Sequence, residues 1–107
     1  MASEGAEGLS DVTENELALF QVFAQAARKG ERAPTTQELM MSGIISPSQT
    51  AVTLASKGVI VIYIHGRNWR VIKIMYGPEE GHETEARFGQ GPPYLVFDKT
   101  GRHEFEV

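Results

Sequence analysis

Five small polar side chains near the middle of the chain are of types that suit hydrogen bonding to base edges. They are Ser46, Ser48, Gln49, Thr50 and Thr53. A Gln side chain can bind adenine through two hydrogen bonds, and a Thr methyl group can contact the methyl group of thymine. If one exposed helix face carries these residues, that face is suited to a DNA major groove. The alternative is a capped polar face that contacts only solvent.

A second group, Arg67, Asn68 and Arg70, surrounds a predicted turn between two strands. Arginine is favoured in a narrow minor groove, where the negative potential is strongest. The tip of this hairpin is therefore predicted to contact the DNA backbone or a minor groove. The alternative is a hairpin whose cations are only solvated.

A third group, Thr35, Thr36 and Gln37, opens a predicted helix. Free backbone N–H groups and hydroxyls at a helix start suit a phosphate oxygen, although capping alone explains the same residues. The nearby cations Arg28, Lys29 and Arg32 are consistent with either backbone contacts or a role at the helix end. Lys57 is assigned to the dipole of the helix that it ends.

The sequence offers no convincing set of catalytic or metal-binding residues. His65, His82 and His103 are widely spaced and do not have metal-ligand spacing. The acids Glu79, Glu80, Glu83 and Glu85 lie in a segment predicted to be a solvated spacer. We therefore expect no enzymatic activity, no metal and no cofactor.

The composition predicts one soluble domain. The chain has 107 residues, of which 41% are hydrophobic and 22% charged, and it contains no cysteine. These values exclude a collagen-like or fully disordered chain, and a cytoplasmic protein is the simplest expectation. The longest apolar run, Val59–Ile64, is far shorter than the roughly 18 residues that a membrane helix needs, so no membrane partner is expected.

The net charge of −4 conceals an uneven distribution. Residues 1–27 carry five acids and no base, whereas residues 28–73 carry seven bases and two acids. Residues 74–107 are acidic again, with seven acids and three bases. A basic centre between acidic ends is compatible with a nucleic-acid partner despite the net charge.

Three helices are predicted after a disordered tail at residues 1–12. Capping boxes at Thr13 with Glu16 and at Thr35 with Glu38 place helices at about 14–29 and 36–42. Leu39 and Met40 are expected to form the buried side of the second helix. Ser46, Pro47 and Gln49 predict a third capped helix at about 47–57, with Ala51, Leu54 and Ala55 facing inward.

After Gly58 the hydrophobic pattern changes from helical periodicity to that of β-strands. Val59–Ile64 and Trp69–Met75 flank the turn at residues 65–68 and predict a β-hairpin, which completes a domain at residues 13–76. Residues 77–93 are acidic and rich in Gly and Pro, and they predict a mobile linker. Residues 94–107 predict a weaker C-terminal hairpin.

Three segments carry a resemblance to a known family. They are Ala33-Pro-Thr-Thr-Gln-Glu-Leu39, Ser46-Pro-Ser-Gln49 and Leu54-Ala-Ser-Lys-Gly-Val-Ile60. Together they resemble the winged helix-turn-helix domain of bacterial SOS-response repressors and related regulators. The resemblance covers about residues 14–75, and the third helix is about a turn shorter than in the family. Nothing in the tail resembles the self-cleaving domain of those repressors, so neither the SOS function nor autoproteolysis is implied.

The resemblance implies an α+β fold, a winged helix-turn-helix of three helices plus a β-hairpin wing, with a C-terminal β-hairpin extension. It also implies a regulator of transcription that binds double-stranded DNA. A homodimer on a palindromic site is expected, with its interface on the first helix or on the 94–107 extension. The apolar residues available there are Tyr94, Leu95, Val96, Phe97 and Phe105. The alternatives are a winged-helix module that binds proteins and not DNA, a ligand-gated regulator and a small enzyme.

Overall fold

The structure, a computed structural model, describes residues 11–66, 69–86 and 92–105. These residues form three helices, α1 (Glu14–Lys29), α2 (Thr36–Met41) and α3 (Pro47–Ser56). They also form five strands, β1 (Ile60–Gly66), β2 (Trp69–Ile74), β3 (Glu83–Ala86), β4 (Leu95–Asp98) and β5 (Gly101–Glu104). The predicted α+β class is confirmed. Residues 1–10 of the tail predicted at residues 1–12, and the turn residues Arg67 and Asn68, lie outside the described part.

The first two helices begin where their capping boxes predict. The Thr13 hydroxyl accepts a hydrogen bond from the Glu16 backbone N–H at 3.1 Å, and the Glu16 carboxylate accepts one from the Thr13 N–H at 2.9 Å. Thr35 and Glu38 make the same reciprocal pair at the start of α2. Each pair satisfies two backbone donors that the helix itself leaves free.

The capping box predicted at the start of α3 is wrong. Ser46 precedes Pro47 and adopts a left-handed conformation with φ 48° and ψ 59°. An N-cap residue whose hydroxyl bonds to its helix has an extended backbone instead. Ser46 therefore makes no side-chain cap hydrogen bond.

All five strands belong to one antiparallel sheet with the order β3-β2-β1-β4-β5. The hairpin of β1 and β2 is at its centre, where Ile62 pairs with Ile72 on one side and with Phe97 on the other. The C-terminal hairpin is therefore continuous with the main sheet, and its turn is the short segment between Asp98 and Gly101.

The prediction of a linker over residues 77–93 is wrong at Glu83–Ala86, because this segment pairs with β2. Thr84 is buried, and its hydroxyl donates to the Glu31 carbonyl at 2.7 Å. The glutamates beside Thr84 give the segment the composition of a spacer. Charged residues are, however, also typical of edge strands, where they discourage pairing with other chains.

The helices pack on one face of the sheet and form the core with it. Ile60, Ile62, Ile72 and Ile74 point to that face and join Leu19, Phe23 and Leu54, all of them at most 4% exposed. Because side chains alternate along a strand, Tyr63, Val71 and Val96 lie on the opposite face. Among the described residues, no helix is both long and apolar enough to cross a membrane.

Candidate nucleic-acid interface

The turn between α2 and α3 is attached to α1 through Asn15. The Asn15 Oδ1 accepts a hydrogen bond from the Ile45 backbone N–H at 2.9 Å, and its Nδ2 donates to the Ile45 carbonyl at 2.9 Å. The same Nδ2 donates to the Thr50 hydroxyl at 3.2 Å. One amide side chain thus fixes both backbone groups of the turn and the first part of α3.

Thr50 was expected on the exposed face of α3, and that expectation is wrong. Thr50 is 7% exposed, and its hydroxyl donates to the Ile45 carbonyl at 2.9 Å. It follows Pro47 and precedes Leu54 at helical spacing, and both of these residues are buried. Thr50 therefore positions α3 from inside, whereas Ala51, Leu54 and Ala55 are buried as predicted.

The outward face of α3 is polar and uncharged. Ser46, Ser48 and Gln49 are exposed, and Thr53 is half-buried with its hydroxyl donating to the Gln49 carbonyl at 3.1 Å. Ser56 continues this face at the other end of the helix and is also exposed. With no charged side chain to keep a partner at a distance, the face can approach another polar surface closely.

At the start of α2, an ion pair supports the capping box. The two terminal guanidinium nitrogens of Arg32, Nη1 and Nη2, donate to the Glu38 carboxylate at 3.0 and 2.7 Å. These bonds and the Thr35 backbone N–H lower the pKa of Glu38 to about 2. Arg32 therefore has an intramolecular ion-pair partner in Glu38. Beside this pair, Gln37 is exposed and Thr36 is half-buried.

Arg70 was expected at a free hairpin tip, but its side chain is held within the fold. One guanidinium nitrogen donates to the Pro34 carbonyl at 2.9 Å, immediately before α2. Burial lowers the pKa of Arg70. Arg70 shares the helix-facing side of β2 with Ile72, because residues two apart on a strand point the same way.

The hairpin expected to project as a free wing is flanked by strands on both sides. Pairing with β4 extends along β1 as far as Ile64, and pairing with β3 extends along β2 as far as Arg70. Of the described hairpin residues, His65, Gly66 and Trp69 lie beyond the pairing with β3 and β4. The predicted contacts of Arg67 and Asn68 concern that tip and lie outside the described residues.

Two cations at the end of α1 remain available to a partner. Arg28 and Lys29 end α1, are exposed and form no ion pair with another described residue. Lys57, by contrast, donates to the Glu16 carboxylate at 2.7 Å and to the Asp11 carbonyl at 2.6 Å. This contact lowers the pKa of Glu16, and it joins the end of α3 to the start of α1.

An apolar surface lies next to the polar face of α3. Met40, Met41 and Ile45 are 60%, 80% and 71% exposed. The prediction that Met40 belongs to the buried side of α2 is wrong. This helix has six residues, and Leu39 is the one that is buried. We call Met40, Met41 and Ile45 the turn patch.

The role of Asn15 was not predicted from the sequence. It precedes Leu19 by four residues and Phe23 by eight, so it lies on the stripe that α1 buries. A polar residue on a buried stripe needs a hydrogen-bond partner. The position of Asn15 on this stripe was therefore the feature of the sequence that could have indicated its role.

Within residues 11–66, 69–86 and 92–105, no group of three or more His, Asp or Glu side chains is placed to hold a metal ion.

No family model, curated protein or solved structure matches the chain.

Proposed function

We propose that this protein is a winged helix-turn-helix regulator of transcription that binds double-stranded DNA with sequence specificity. In this proposal α3 enters the major groove, and the start of α2 contacts the phosphate backbone. The tip of the central hairpin lies on the backbone or in a minor groove. The order helix, turn, helix and hairpin supports the proposal, because these elements follow one another directly in the chain.

The observation that carries the proposal is the way α3 is attached. Thr50, Ala51 and Leu54 hold one side of the helix in the interior, which leaves Ser48 and Gln49 outward on a rigid support. Rigid presentation of a few short polar side chains is what base readout requires. In this account Gln49 contacts base edges, Ser48 and Thr53 line the groove, and Thr50 has only a positioning role.

The backbone contacts are assigned to groups that the fold leaves free. Arg28 and Lys29 lack an ion pair with any described residue, and Gln37 is exposed near the start of α2. Arg32, Lys57 and Arg70 are engaged within the protein and are removed from the set of phosphate contacts. Arg67 and Asn68 stay in the set because the sequence predicts them in the turn of the hairpin.

A homodimer is part of the proposal, since one small module makes few contacts and a two-fold pair doubles them. Leu95 and Phe97 lie on the side of the sheet that faces the helices, and Phe97 packs against the core. Tyr94 and Phe105 lie at neighbouring positions joined by a backbone hydrogen bond, and they are 39% and 52% exposed. They are the residues of the extension that a second subunit can cover.

The experiment is a titration of a labelled duplex by fluorescence anisotropy over a series of salt concentrations. The logarithm of the affinity should fall linearly with the logarithm of the salt concentration. The slope of this line should correspond to several phosphate contacts. The double variant Arg28→Gln with Lys29→Gln should reduce this slope by about two, since each phosphate contact contributes about 0.9. Arg102→Gln is the control, because Arg102 pairs with Glu104 at 2.7 Å. No binding to any duplex at low salt would refute the proposal.

The second candidate is a module that binds a protein and not DNA, and the turn patch favours it. Three large apolar side chains exposed within six residues are unusual for a surface that contacts only water. Met41→Glu separates the two functions. If the chain binds DNA, the variant should keep the salt slope of the wild type. If it binds only a protein, the wild type should show no salt-dependent binding to a duplex, and the variant should no longer bind the protein partner.

A further inference from the structure

The turn between β4 and β5 lies against the end of α3. A Cβ placed on Gly58 would lie 3.5 Å from the Cβ of Lys99 and 3.6 Å from its Cδ. Gly58 follows the C-cap of α3 and has a φ of +82°, which favours glycine. The lysine stem thus lies within van der Waals distance of the position that a Cβ at residue 58 would take.

Hydrogen bonds hold this turn in one shape. The Asp98 Oδ1 accepts from the Thr100 backbone N–H at 2.8 Å and from the Thr100 hydroxyl at 2.6 Å. The His103 Nε2 lies 3.1 Å from the same oxygen. Lys99 is carried between these anchored residues, so its position beside α3 is set by the fold.

The charge of Lys99 is available, unlike that of its neighbour Lys57. Lys99 is exposed and forms no ion pair with any other described residue. Lys57, on the same end of α3, is neutralised by Glu16 at 2.7 Å. The exposed Ser56 lies two residues before Gly58, beside which the Lys99 stem lies.

We infer that Lys99 contacts a DNA phosphate at the edge of the groove that α3 enters, so that the C-terminal hairpin is part of the DNA-binding surface. This inference rests on the proposed function and extends it to a residue from a different part of the sequence. The cation is placed where α3 itself supplies none. A dimer interface built on Tyr94 and Phe105 is compatible with this role, because those residues lie at the opposite end of the hairpin.

The test compares Lys99→Gln with Arg102→Gln in the same hairpin and with Lys99→Arg. Salt-dependent binding to a labelled duplex is measured for each full-length variant, together with its melting temperature. Lys99→Gln should bind several-fold more weakly at low salt and lose about one phosphate contact from the salt slope. Arg102→Gln and Lys99→Arg should keep the slope of the wild type.

Three results overturn the inference. If Lys99→Gln melts at a lower temperature but keeps the wild-type slope, the lysine only stabilises the end of α3 through its dipole. If the wild type binds duplex DNA and Lys99→Gln binds equally well, only this inference fails. If the wild type binds no duplex, the proposed function fails with it.

Discussion

Asn15 and Ile45 are thirty residues apart, yet the Asn15 side chain bonds to both the N–H and the carbonyl of Ile45, each at 2.9 Å. This pair links the first turn of α1 to the turn that precedes α3. Because Thr50 bonds to both residues, the start of α3 cannot rotate without breaking the network. The orientation of the outward face of α3 therefore depends on Asn15, which belongs to α1 and not to the helix-turn-helix pair α2 and α3.

Asn15→Ala should destabilise the protein, because it removes three hydrogen bonds around the turn. The free energy of unfolding should fall by about 1–2 kcal/mol, after the higher helix propensity of alanine has offset part of the loss. Urea denaturation measures this change. Gln21→Ala is the control, since Gln21 is exposed on the same helix. Equal stability of the two variants would show that the network contributes nothing.

The ion pair of Glu38 and Arg32 gives the stability a defined dependence on pH. The folded pKa of Glu38, about 2, is below its ordinary value of 4.5. The carboxylate therefore stabilises the fold above about pH 4.5, and this contribution is lost as the pH falls toward 2. The melting temperature of the wild type should exceed that of Glu38→Gln at neutral pH, and the difference should shrink across that interval.

Arg32→Gln provides an independent check on the same pair. It removes the largest cause of the shift, so the pKa of Glu38 should rise toward its ordinary value. An NMR titration of the Glu38 carboxyl group measures this directly. A Glu38 pKa that is unchanged in Arg32→Gln would assign the shift to the capping bonds of Thr35 alone.

Thr84→Val tests the strand found inside the predicted linker. The Thr84 hydroxyl donates to the Glu31 carbonyl, and its loss would leave that carbonyl unpaired beside a buried side chain. The free energy of unfolding should fall by about 1–2 kcal/mol, whereas the exposed Glu83→Gln on the same strand should change it by less than about 0.5 kcal/mol. Identical denaturation curves for the two variants would contradict the assignment of β3.

Arg70→Met separates a structural arginine from a DNA contact. The variant keeps an apolar stem but leaves the Pro34 carbonyl without its donor, so stability should fall by about 1 kcal/mol. Its salt slope in duplex binding should match that of the wild type. A variant with wild-type stability and a reduced slope would return Arg70 to the set of phosphate contacts.

The helices were predictable because their signals are local. The Thr13 and Glu16 spacing, together with Gly30 at the end, defines α1 within one short segment, and the structure begins and ends the helix at those residues. The central hairpin was predictable for the same reason, since a short turn joins two runs of β-branched residues. In both cases the partners that stabilise the element are close in sequence.

The features that the sequence did not reveal depend on distant partners. Glu83–Ala86 becomes a strand because β2 offers an edge and Glu31 offers a carbonyl, and neither is visible in an acidic segment. Thr50 is interior because Asn15 and Ile45 meet it there. Arg70 is internal because the loop before α2 folds back to its side chain. Residue type alone predicts exposure for each of these residues.

Whether α3 reads DNA is tested by a selection of duplexes from a random library by the wild-type protein and by Gln49→Ala, with Gln21→Ala as the control. We predict that the wild type and Gln21→Ala enrich the same motif. Gln49→Ala should lose its preference at one or two adjacent base pairs and keep the rest. An enriched motif that Gln49→Ala leaves unchanged, or no enrichment by the wild type, would contradict the claim that α3 reads DNA.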